Sequence, residues 1–444
     1  MIELVLASTD ADAIRDQLTG GQNEACAILY ANETSRTDGT VRLLVREVQY
    51  PTQDDYTKRG HVEAELSPDF VARVTKRARR EKYSLIFAHS HPGIEAPIFS
   101  HIDSLGEKRL AAFLAHRHPG SEHAALVVSE GGMRARRLGK DEEICVIAIG
   151  SYRDVIFDPT MPSPSNLEIY DRQVRAFGST GQQALQRLRI AIVGLGGTGS
   201  LVAQQLVHLG VRHLILIDPD VLESTNLNRV ANAMPGDIGH PKVEIAARYI
   251  NAVAMDSTVT CVAGDVTRSS TAKELLNADI IFGCTDSHGS RAVLQQISYQ
   301  YLIPCIDVGT TIAVSEGSVT HIYGRVQLLA PGHACFTCSS LLDPNEVRRD
   351  MMSDFERQAD PYIRGAREPA PAVMSLNSTV VSLGVTMLLS MVAGIPVGAR
   401  HILYNAINSA LRNVRAQSDS NCYICSHAGG LARGDSWPLN ARQD

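Results

Sequence analysis

Residues 88–103, AHSHPGIEAPIFSHID, place two histidines, a serine and an aspartate close together in the chain. His89 and His91 end an apolar, strand-like run one residue apart, so their side chains point to the same side. Ser100 and Asp103 are three residues apart at the start of a helical pattern and share one helix face. Two imidazoles and a carboxylate can hold zinc and leave one position open for water. The stretch therefore predicts a catalytic zinc site at His89, His91 and Asp103.

A hydrolytic zinc site also needs a base that is not a metal ligand. Glu24, at the head of the strand-like run EACAILY, is the candidate, and Glu33 lies nearby. Ser100 could then donate a hydrogen bond to the oxyanion. The alternative for the two zinc-binding histidines is that they are ordinary polar residues near a turn. His101 and His116 are interpreted as solvated helix residues.

The run IVGLGGTGS contains four glycines after a buried strand and opens a helix. Backbone N–H groups in such a loop, together with the helix N-terminus, form a phosphate site. The glycines are Gly194, Gly196, Gly197 and Gly199. Asp218 ends the next strand, where a carboxylate would bind ribose hydroxyls. These features are equally typical of a dinucleotide-dependent dehydrogenase.

The residues that follow distinguish ATP from a dinucleotide. STNLNRV supplies Asn226 and Arg229, GHPKVE supplies Lys242, and IIFGCTDSHGSR ends a further buried strand in Asp286. Hydride transfer needs neither extra cations beside the phosphates nor a carboxylate for a metal. Attack of a carboxylate on the α-phosphate of ATP needs both, because charge builds on the phosphorus oxygens and on the leaving pyrophosphate. The alternative is that Arg229 and Lys242 are separate surface charges.

Four of the nine cysteines form two Cys-x-x-Cys pairs, CFTC and CYIC. The pairs are Cys335 with Cys338 and Cys422 with Cys425. Two such pairs can close a four-thiolate zinc site with no open position, which is typical of structural zinc. A redox pair is the alternative. The other five, in mostly apolar strand-like runs, are interpreted as core residues: Cys26, Cys145, Cys261, Cys284 and Cys305.

The predicted strands and helices that carry these residues fall into two domains. Residues 1–149 alternate short apolar runs with helical patterns, which indicates a compact α+β domain. Residues 150–169 have the proline and serine content of a linker. From residue 189, buried strands alternate with helices, which predicts a doubly wound, mostly parallel sheet within an α/β domain. We place that domain at 170–430 and a tail at 431–444.

Composition limits the partners. Lys+Arg 42 against Asp+Glu 48 gives a net charge of -6 and no basic field for nucleic acid or an anionic membrane. No apolar run approaches the roughly 18 residues that span a bilayer, and the first residues lack the pattern of a signal peptide. We therefore expect a cytoplasmic enzyme that binds neither nucleic acid nor membrane.

The N-terminal pattern, His-x-His-Pro, seven residues, then Ser-x-x-Asp, resembles the JAB/MPN metalloproteases over roughly residues 1–149. That family cleaves peptide or isopeptide bonds after the C-terminal glycine of ubiquitin-like proteins. The resemblance implies that His89, His91 and Asp103 hold zinc. It also implies that Glu24 activates water and that Ser100 stabilises the transition state.

The second half, with YDRQVRAFG upstream of the glycine loop, resembles the ThiF/MoeB and ubiquitin-activating family from about 170 to 430. That family adenylates the C-terminal glycine of ubiquitin-like proteins or sulfur carriers. The resemblance implies that Asp218 binds ribose, that Arg229 and Lys242 bind phosphates, and that Asp286 binds Mg²⁺. It further implies a homodimer in which Arg172 reaches the partner's nucleotide.

One departure from that family concerns thioester formation. Its thioester-forming members carry a catalytic cysteine after the first cysteine pair, yet residues 339–370 contain none. Either the adenylate passes directly to a partner's nucleophile, which we prefer, or Ser353 takes an oxyester. The alternative for Ser353 is that it caps a helix before Asp354 and Glu356.

These patterns predict a bifunctional enzyme that uses ATP, Mg²⁺ and zinc, with zinc both catalytic and structural. It would adenylate the tail of a ubiquitin-like protein and process or deconjugate that protein. Its partners would include a conjugating enzyme or, in sulfur-carrier biosynthesis, a sulfurtransferase. Two rival hypotheses are a NAD-dependent oxidoreductase with an unrelated metal domain and a JAB domain that serves only for docking.

Overall fold

The computed structural model describes residues 1–93, 96–160, 168–353, 356 and 371–443. The chain forms two compact units. The first comprises Met1–Pro162, Gln300–Leu302 and Ser426–Pro438. The second comprises Ser163–Tyr299, Ile303–Cys425 and Leu439–Asp444.

The first unit is built on one curved sheet. Its strands β1 to β10 are Ile2–Ala7, Cys26–Ser35, Val41–Gln49, Tyr56–Arg59, Ala64–Leu66, Ser84–Ser90, Ala124–Ser129, Gly132–Arg137, Glu143–Ile149 and Arg153–Phe157. Its helices α1 to α3 are Ser8–Thr19, Pro68–Glu81 and His101–Arg117. The strand order is β1-β3-β2-β6-β7-β8-β9-β10, and β1 also pairs with β9, so seven strands close into a ring. Strands β4 and β5 form a separate hairpin.

The boundaries of the first unit differ from the sequence-based ones. Strand β10 lies inside the predicted linker, 150–169, and pairs antiparallel with β9. The prolines begin only at Pro159, after this strand ends, so the linker composition belongs to the later part of that segment. The predicted tail is also divided, because its residues up to Pro438 belong to the first unit.

The second unit is a doubly wound sheet, as predicted. Its strands β11 to β18 are Arg189–Val193, His213–Ile217, Thr258–Val262, Ile280–Gly283, Cys305–Ser315, Ser318–Leu329, His401–Asn405 and Ala410–Asn413. Its helices α4 to α10 are Asp171–Arg187, Gly199–Leu209, Lys242–Val253, Ser269–Glu274, His288–Gln300, Pro344–Met351 and Met374–Val392. The strand order is β13-β12-β11-β14-β15-β16-β17-β18. The first five strands are parallel and the last three antiparallel. The carboxyl ends of the parallel strands therefore meet at one edge, where ligands bind in such sheets.

Helix α10 corrects one expectation. By length and composition alone it could cross a membrane, which the sequence analysis did not anticipate for any run. More than half of it is buried. Leu376, Val380 and Leu388 belong to the apolar core of the second unit. An apolar core helix passes the same length and composition test, because its buried face is as apolar as a membrane-spanning one.

Candidate functional sites

Strand β6 and helix α3 bring the three predicted zinc ligands together. His89 Nε2 lies 3.3 Å from Asp103 Oδ1, and His91 Nε2 lies 3.5 Å from Asp103 Oδ2. Possible ligand atoms of all three residues lie within 4.8 Å of one another. The Nε2 atom of His89 is buried and has no hydrogen-bond partner among the described residues. A buried imidazole nitrogen without a partner is costly, so this donor set fits a metal ion that would satisfy it.

The start of helix α3 fixes the third ligand. The Ser100 hydroxyl accepts a hydrogen bond from the Asp103 N–H at 3.1 Å, and the Ser100 N–H donates to Asp103 Oδ2 at 2.6 Å. This capping box holds the Asp103 carboxylate against the first turn. Ser100 is thus placed beside the ligands as a helix cap, and its hydroxyl proton remains able to donate.

Glu24 lies beside the same cluster. Its Oε1 is 3.8 Å from His91 Nε2, and its side chain is only 10% exposed. The hairpin β4–β5 holds its backbone, because the Glu24 N–H donates to Gly60 O and Arg59 Nε donates to Glu24 O. Glu33, the alternative base, instead accepts from the Ser84 hydroxyl and the Glu122 N–H. The structure therefore places Glu24, and not Glu33, at the candidate zinc site.

Burial and the close contacts between these side chains shift the pKa values of Glu24, Asp103 and His91. Burial raises the pKa of Glu24. Burial alone would also raise the pKa of Asp103, but the adjacent imidazoles of His89 and His91 lower it far below its usual value. The hydrogen bond with Asp103 raises the pKa of His91. Burial thus favours the neutral form of Glu24, whereas the contact between Asp103 and His91 favours the ionised form of both.

Sequence reasoning missed the residues that support this cluster. Arg136, which is buried, donates to Glu107 Oε2 at 3.0 Å and to the Ser104 hydroxyl at 3.1 Å. Its guanidinium lies 4.0 Å from the ring centroid of Phe99, and that ring lies 6.2 Å from the ring of His89. These contacts join distant strands and helices, so no local motif signals them.

A second candidate site occupies the carboxyl edge of the parallel strands in the second unit. A cavity of about 820 Å³ opens there. Its lining includes eight of the nine predicted cofactor-binding residues: Gly194, Gly196, Gly197, Asp218, Asn226, Arg229, Lys242 and Asp286. The ninth, Gly199, is the first residue of α5 and is not among the residues that line the cavity.

The glycines of the loop differ in whether a larger residue could replace them. Gly194 has φ +88, and a Cβ there would lie 2.7 Å from Cys284 O. A Cβ on Gly199 would lie 1.7 Å from Gly194 O, and one on Gly197 would lie 2.4 Å from the Asn377 side chain. A Cβ on Gly196 would meet nothing within 4 Å. Gly199 therefore shapes the loop without facing the cavity.

The Asp218 and Lys242 side chains are held by neighbouring residues in the cavity. The buried Asp218 carboxylate accepts from the Leu195 N–H at 2.5 Å and from the Asp220 N–H at 2.8 Å. Burial raises its pKa. Lys242 Nζ lies 2.7 Å from Asp220 Oδ2. Asp218 thus ties the glycine loop to the end of β12, where a ribose carboxylate was predicted.

The other predicted side chains, Asn226, Arg229 and Asp286, differ in whether hydrogen bonds hold them in place. Asn226 is buried and accepts from the Glu223 N–H at 3.2 Å. Arg229 donates to Thr225 O at 2.6 Å. Asp286 is exposed to the cavity and has no hydrogen bond or ion pair with the part of the chain that the structure describes. Its carboxylate is therefore available to a cation.

Arg291 and Asp307 were missed by the sequence analysis. Arg291 lines the cavity and donates to Thr285 O at 2.8 Å. Its Nε lies 3.3 Å from Oδ1 of the fully buried Asp307, whose Oδ2 lies 2.5 Å from Arg325. Arg291 could have been predicted from the sequence, because it ends the quoted run IIFGCTDSHGSR. Asp307 could not, because it comes from the next strand, β15.

Arg172 and Ser353 lie apart from these clusters. Arg172 is exposed on α4 and does not line the cavity of its own chain. The Ser353 hydroxyl donates to Glu356 Oε2 at 2.8 Å and accepts from the Glu356 N–H at 3.2 Å. This reciprocal pair matches the helix-cap interpretation of Ser353. Most of the segment that follows, 354–355 and 357–370, lies outside the described residues.

The four paired cysteines form one cluster. Their sulfur atoms lie within 4.8 Å of one another, with Cys335 Sγ 3.6 Å from Cys422 Sγ and Cys338 Sγ 3.5 Å from Cys425 Sγ. The Cys338 N–H donates to Cys335 Sγ at 3.4 Å, a bond that favours a thiolate. Four sulfurs within this distance fit a tetrahedral zinc ion.

The other cysteines follow the core interpretation with one exception. Cys26, Cys145 and Cys305 are buried and Cys284 is partly buried. Burial raises the pKa of Cys26 to about 12 and raises those of Cys284 and Cys305 as well. Cys261 is exposed, contrary to expectation, because β13 is the edge strand of its sheet.

The glycine loop, cations and carboxylates around one cavity of a doubly wound sheet define a Rossmann-like nucleotide-binding domain. The model of the ThiF family matches residues 170–424, more than half of the chain. The chain therefore belongs to the ThiF family. Residues 8–139 match the model described as prokaryotic homologs of the JAB domain. Both resemblances inferred from the sequence are thus confirmed.

The chain is also similar to individual proteins of known name. The SAMP-activating enzyme E1 of Haloferax volcanii is 25% identical over 269 residues, which are 60% of this chain and 91% of that protein. The molybdopterin-synthase adenylyltransferase of Escherichia coli is 27% identical over 258 residues, 58% of this chain and 95% of that protein. A crystal structure of E. coli MccB with ATP has a TM-score of 0.47 and 19% identity, covering 60% of this chain and 76% of that chain.

Proposed function

We propose that the second unit is an adenylyltransferase that uses ATP to activate the C-terminal glycine of a ubiquitin-like or sulfur-carrier protein. Membership of the ThiF family and the names of the adenylyltransferase relatives support this proposal. The observation that carries it is one cavity that combines a glycine loop, Lys242, Arg229 and Asp286, whose carboxylate is available to a cation. A nicotinamide enzyme would have no use for this combination of charges.

The position of each residue in the cavity suggests its role in the adenylation reaction. The glycine loop and the N-terminus of α5 would bind phosphates, and Lys242 and Arg229 would offset the charge that develops on phosphorus and pyrophosphate. Asp286 would hold Mg²⁺, which would neutralise phosphate oxygens. Asp218, already bonded to the loop, would orient the ribose. Arg291, held by Asp307, adds a further cation to the same wall.

The adenylation proposal is tested by exchange of labelled pyrophosphate into ATP, driven by a candidate carrier protein. The Asp286→Ala variant should lose exchange, because no carboxylate remains to hold Mg²⁺ at this position. The Asp154→Ala variant is the matched control, since Asp154 is exposed in the first unit. Equal exchange in the Asp286→Ala and Asp154→Ala variants would contradict the assigned role.

We further propose that the first unit is a zinc-dependent peptidase that processes or deconjugates the same carrier protein. His89, His91 and Asp103 would hold zinc, which would act as a Lewis acid on the scissile carbonyl. Glu24 would take a proton from the attacking water and return it to the leaving amine. The Ser100 hydroxyl would donate to the developing oxyanion.

Two variants separate the peptidase from a docking module. Glu24→Gln should retain zinc, measured by metal analysis, but fail to cleave a carrier extended beyond its terminal glycine. His89→Ala with Asp103→Ala should lose both zinc and cleavage while pyrophosphate exchange persists. Cleavage by Glu24→Gln at the unchanged rate would overturn the role of Glu24. A chain that binds the carrier and zinc but never cleaves would favour the docking alternative.

A sulfur carrier is the second candidate substrate. The lack of cysteine at 339–370 removes the usual thioester position, and one relative is a molybdopterin-synthase adenylyltransferase. A sulfurtransferase that accepts the adenylated tail would then be the partner, in place of a conjugating enzyme. Incubation of the adenylate with each partner class, followed by mass measurement of the carrier, distinguishes a thiocarboxylate from a conjugate.

Direct transfer from the adenylate is the preferred route. The helix-cap bonds of Ser353 support this preference, because its hydroxyl is already engaged with Glu356. After incubation with ATP and carrier we expect no covalent adduct of the enzyme. An adduct that resists thiol reductants and vanishes in Ser353→Ala would establish the oxyester. A reductant-sensitive adduct would instead identify a catalytic cysteine.

The homodimer with a shared site is also a proposal. Arg172 lies outside the cavity of its own chain, which is compatible with a role in the partner's cavity. Mixing Arg172→Ala with Asp286→Ala chains should restore part of the exchange activity through one intact composite site. Inactive mixtures of chains that demonstrably exchange subunits would overturn the in-trans role.

A further inference from the structure

Residues beyond the cysteine pairs return to the second unit and run beside the loop that follows β13. The Arg442 N–H donates to Thr267 O at 2.7 Å, and the Ser269 N–H donates to Arg442 O at 2.8 Å. Arg442 therefore forms an isolated parallel β-bridge with Arg268 of this loop.

The Arg442 side chain makes three further contacts from the same position. Its Nε donates to the Thr267 hydroxyl at 3.0 Å, and its guanidinium pairs with Asp265. It also donates to Met352 O at 3.2 Å. The side chain is only 13% exposed, so these bonds are shielded from water. A guanidinium with several fixed acceptors is the arrangement that lysine cannot reproduce.

Of these partners, Asp265 and Thr267 belong to the wall of the candidate nucleotide cavity. Four consecutive residues, 264–267, line it. Asp265 Oδ1 accepts from the Thr267 N–H at 2.9 Å, and its other oxygen pairs with Arg442. Both carboxylate oxygens of Asp265 are thus engaged, which fixes this side chain in the cavity wall.

The strand order indicates which part of a nucleotide meets this wall. The phosphate loop follows β11, the predicted ribose carboxylate Asp218 follows β12, and the loop 264–268 follows β13. The order β13-β12-β11 sets these three positions in a row along the sheet edge. A nucleotide with phosphates at β11 and ribose at β12 therefore directs its base toward the loop after β13.

We propose that Arg442 is a positioning residue for the nucleobase: it fixes the wall at 264–267 against which the base of the nucleotide binds. Arg442 itself does not line the cavity and acts through Asp265 and Thr267. This inference rests on the proposed function, since it assumes that the cavity binds ATP.

Binding of two probes to the full chain tests this role. A non-hydrolysable ATP analogue reports on the whole nucleotide, and inorganic tripolyphosphate reports on the phosphate end alone. In Arg442→Gln we expect analogue affinity to fall about tenfold, the effect of losing a charge-assisted contact, with tripolyphosphate affinity unchanged. Asp265→Asn, which breaks the same pair, should match it, and Arg442→Lys should restore analogue affinity only in part.

Arg415→Gln is the matched control, because Arg415 is an exposed arginine of the same unit. Analogue affinity that falls equally with tripolyphosphate affinity would indicate general damage and overturn the positioning role. Unchanged analogue affinity in Arg442→Gln would overturn it as well. A wild-type chain that fails to bind the analogue would instead contradict the proposed function itself, and the positioning role with it.

Discussion

Ser100 and Asp103 bind each other reciprocally across the first turn of α3, through the Ser100 N–H at 2.6 Å and the Asp103 N–H at 3.1 Å. One carboxylate oxygen of Asp103 is occupied by this bond, while the other lies 3.3 Å from His89. The helix cap and the candidate metal site therefore share one side chain. Changes to the cap should be transmitted to the metal.

Ser100→Ala should lower zinc affinity by up to about tenfold, because loss of the hydroxyl bond to the Asp103 N–H loosens the helix turn that carries this ligand, while the backbone Ser100 N–H still donates to Asp103 Oδ2. It should also lower the free energy of unfolding by about 1 kcal/mol through loss of the cap. Ser67→Ala is the matched control, since Ser67 caps α2 by accepting from the Phe70 N–H at 3.3 Å. Competition with a chromophoric chelator measures zinc affinity. Equal affinities in the two variants would contradict the shared role of Asp103.

Gly199→Ala should destabilise the second unit by about 2 kcal/mol or more, because a Cβ there would lie 1.7 Å from Gly194 O and the loop must move. Gly196→Ala, with nothing within 4 Å of its Cβ, should unfold as the wild type does. Urea unfolding of the full chain compares the two. A stable Gly199→Ala chain would show that the loop can adopt another conformation.

Cys335→Ser should prevent zinc binding by the four-cysteine cluster and, if zinc binds there, destabilise the second unit by several kcal/mol, since metal binding at such sites contributes directly to folding. Cys261→Ser provides the control, because Cys261 is exposed and distant in sequence from the cluster. Zinc content by mass spectrometry and thermal unfolding report the outcome. Full stability of zinc-free Cys335→Ser would favour a different role for the four cysteines.

The first unit should lose stability in mild acid through His123. Burial lowers the pKa of His123 from 6.5 to about 4, and its Nδ1 accepts from the Leu85 N–H at 3.0 Å. The unfolded chain therefore binds a proton that the folded chain excludes, so this contribution is complete above pH 6.5 and is lost as the pH falls toward 4. We expect a loss of about 2 kcal/mol at about pH 5 relative to about pH 7.

His123→Asn, whose side-chain oxygen can accept the same bond without titrating, should flatten this pH dependence. His116→Gln is the control, since His116 is exposed on α3. The fluorescence of Trp437, the one tryptophan of the sequence, follows unfolding of the first unit. An unchanged pH profile in His123→Asn would assign the acid sensitivity to other groups.

The sequence predicted those features that local patterns encode. The glycine loop after a buried strand, the alternation of strands and helices, and both cysteine pairs follow from spacing within short runs. His89 and Asp103 could be assigned together because one lies at a strand end and the other at a helix start a few residues later. Glu24 was a candidate base because it precedes a strand-like run, and Glu33 stayed the alternative, which the distance of 3.8 Å between Glu24 Oε1 and His91 Nε2 now disfavours.

The features that were missed depend on long-range contacts. Asp307 is buried against Arg291 and Arg325, which come from a neighbouring helix and strand, so no period in the sequence reveals the charge pairing. The contacts of Arg442 with residues around 265–267 join segments more than 170 residues apart. Strand β10 was not predicted, because the prolines that follow it gave the whole segment the composition of a linker. Helix α10 was overlooked because its serines and threonines interrupt the apolar run.

Carrier-dependent exchange of labelled pyrophosphate into ATP tests the central claim most directly. With wild-type chain, Mg²⁺ and a ubiquitin-like or sulfur-carrier protein ending in glycine, we predict exchange that requires all three components. Removal of the terminal glycine from the carrier should abolish it, because the shortened tail no longer brings its carboxylate to the α-phosphate. Exchange that proceeds equally without any carrier, or no exchange with a panel of such carriers despite ATP binding, would contradict the account.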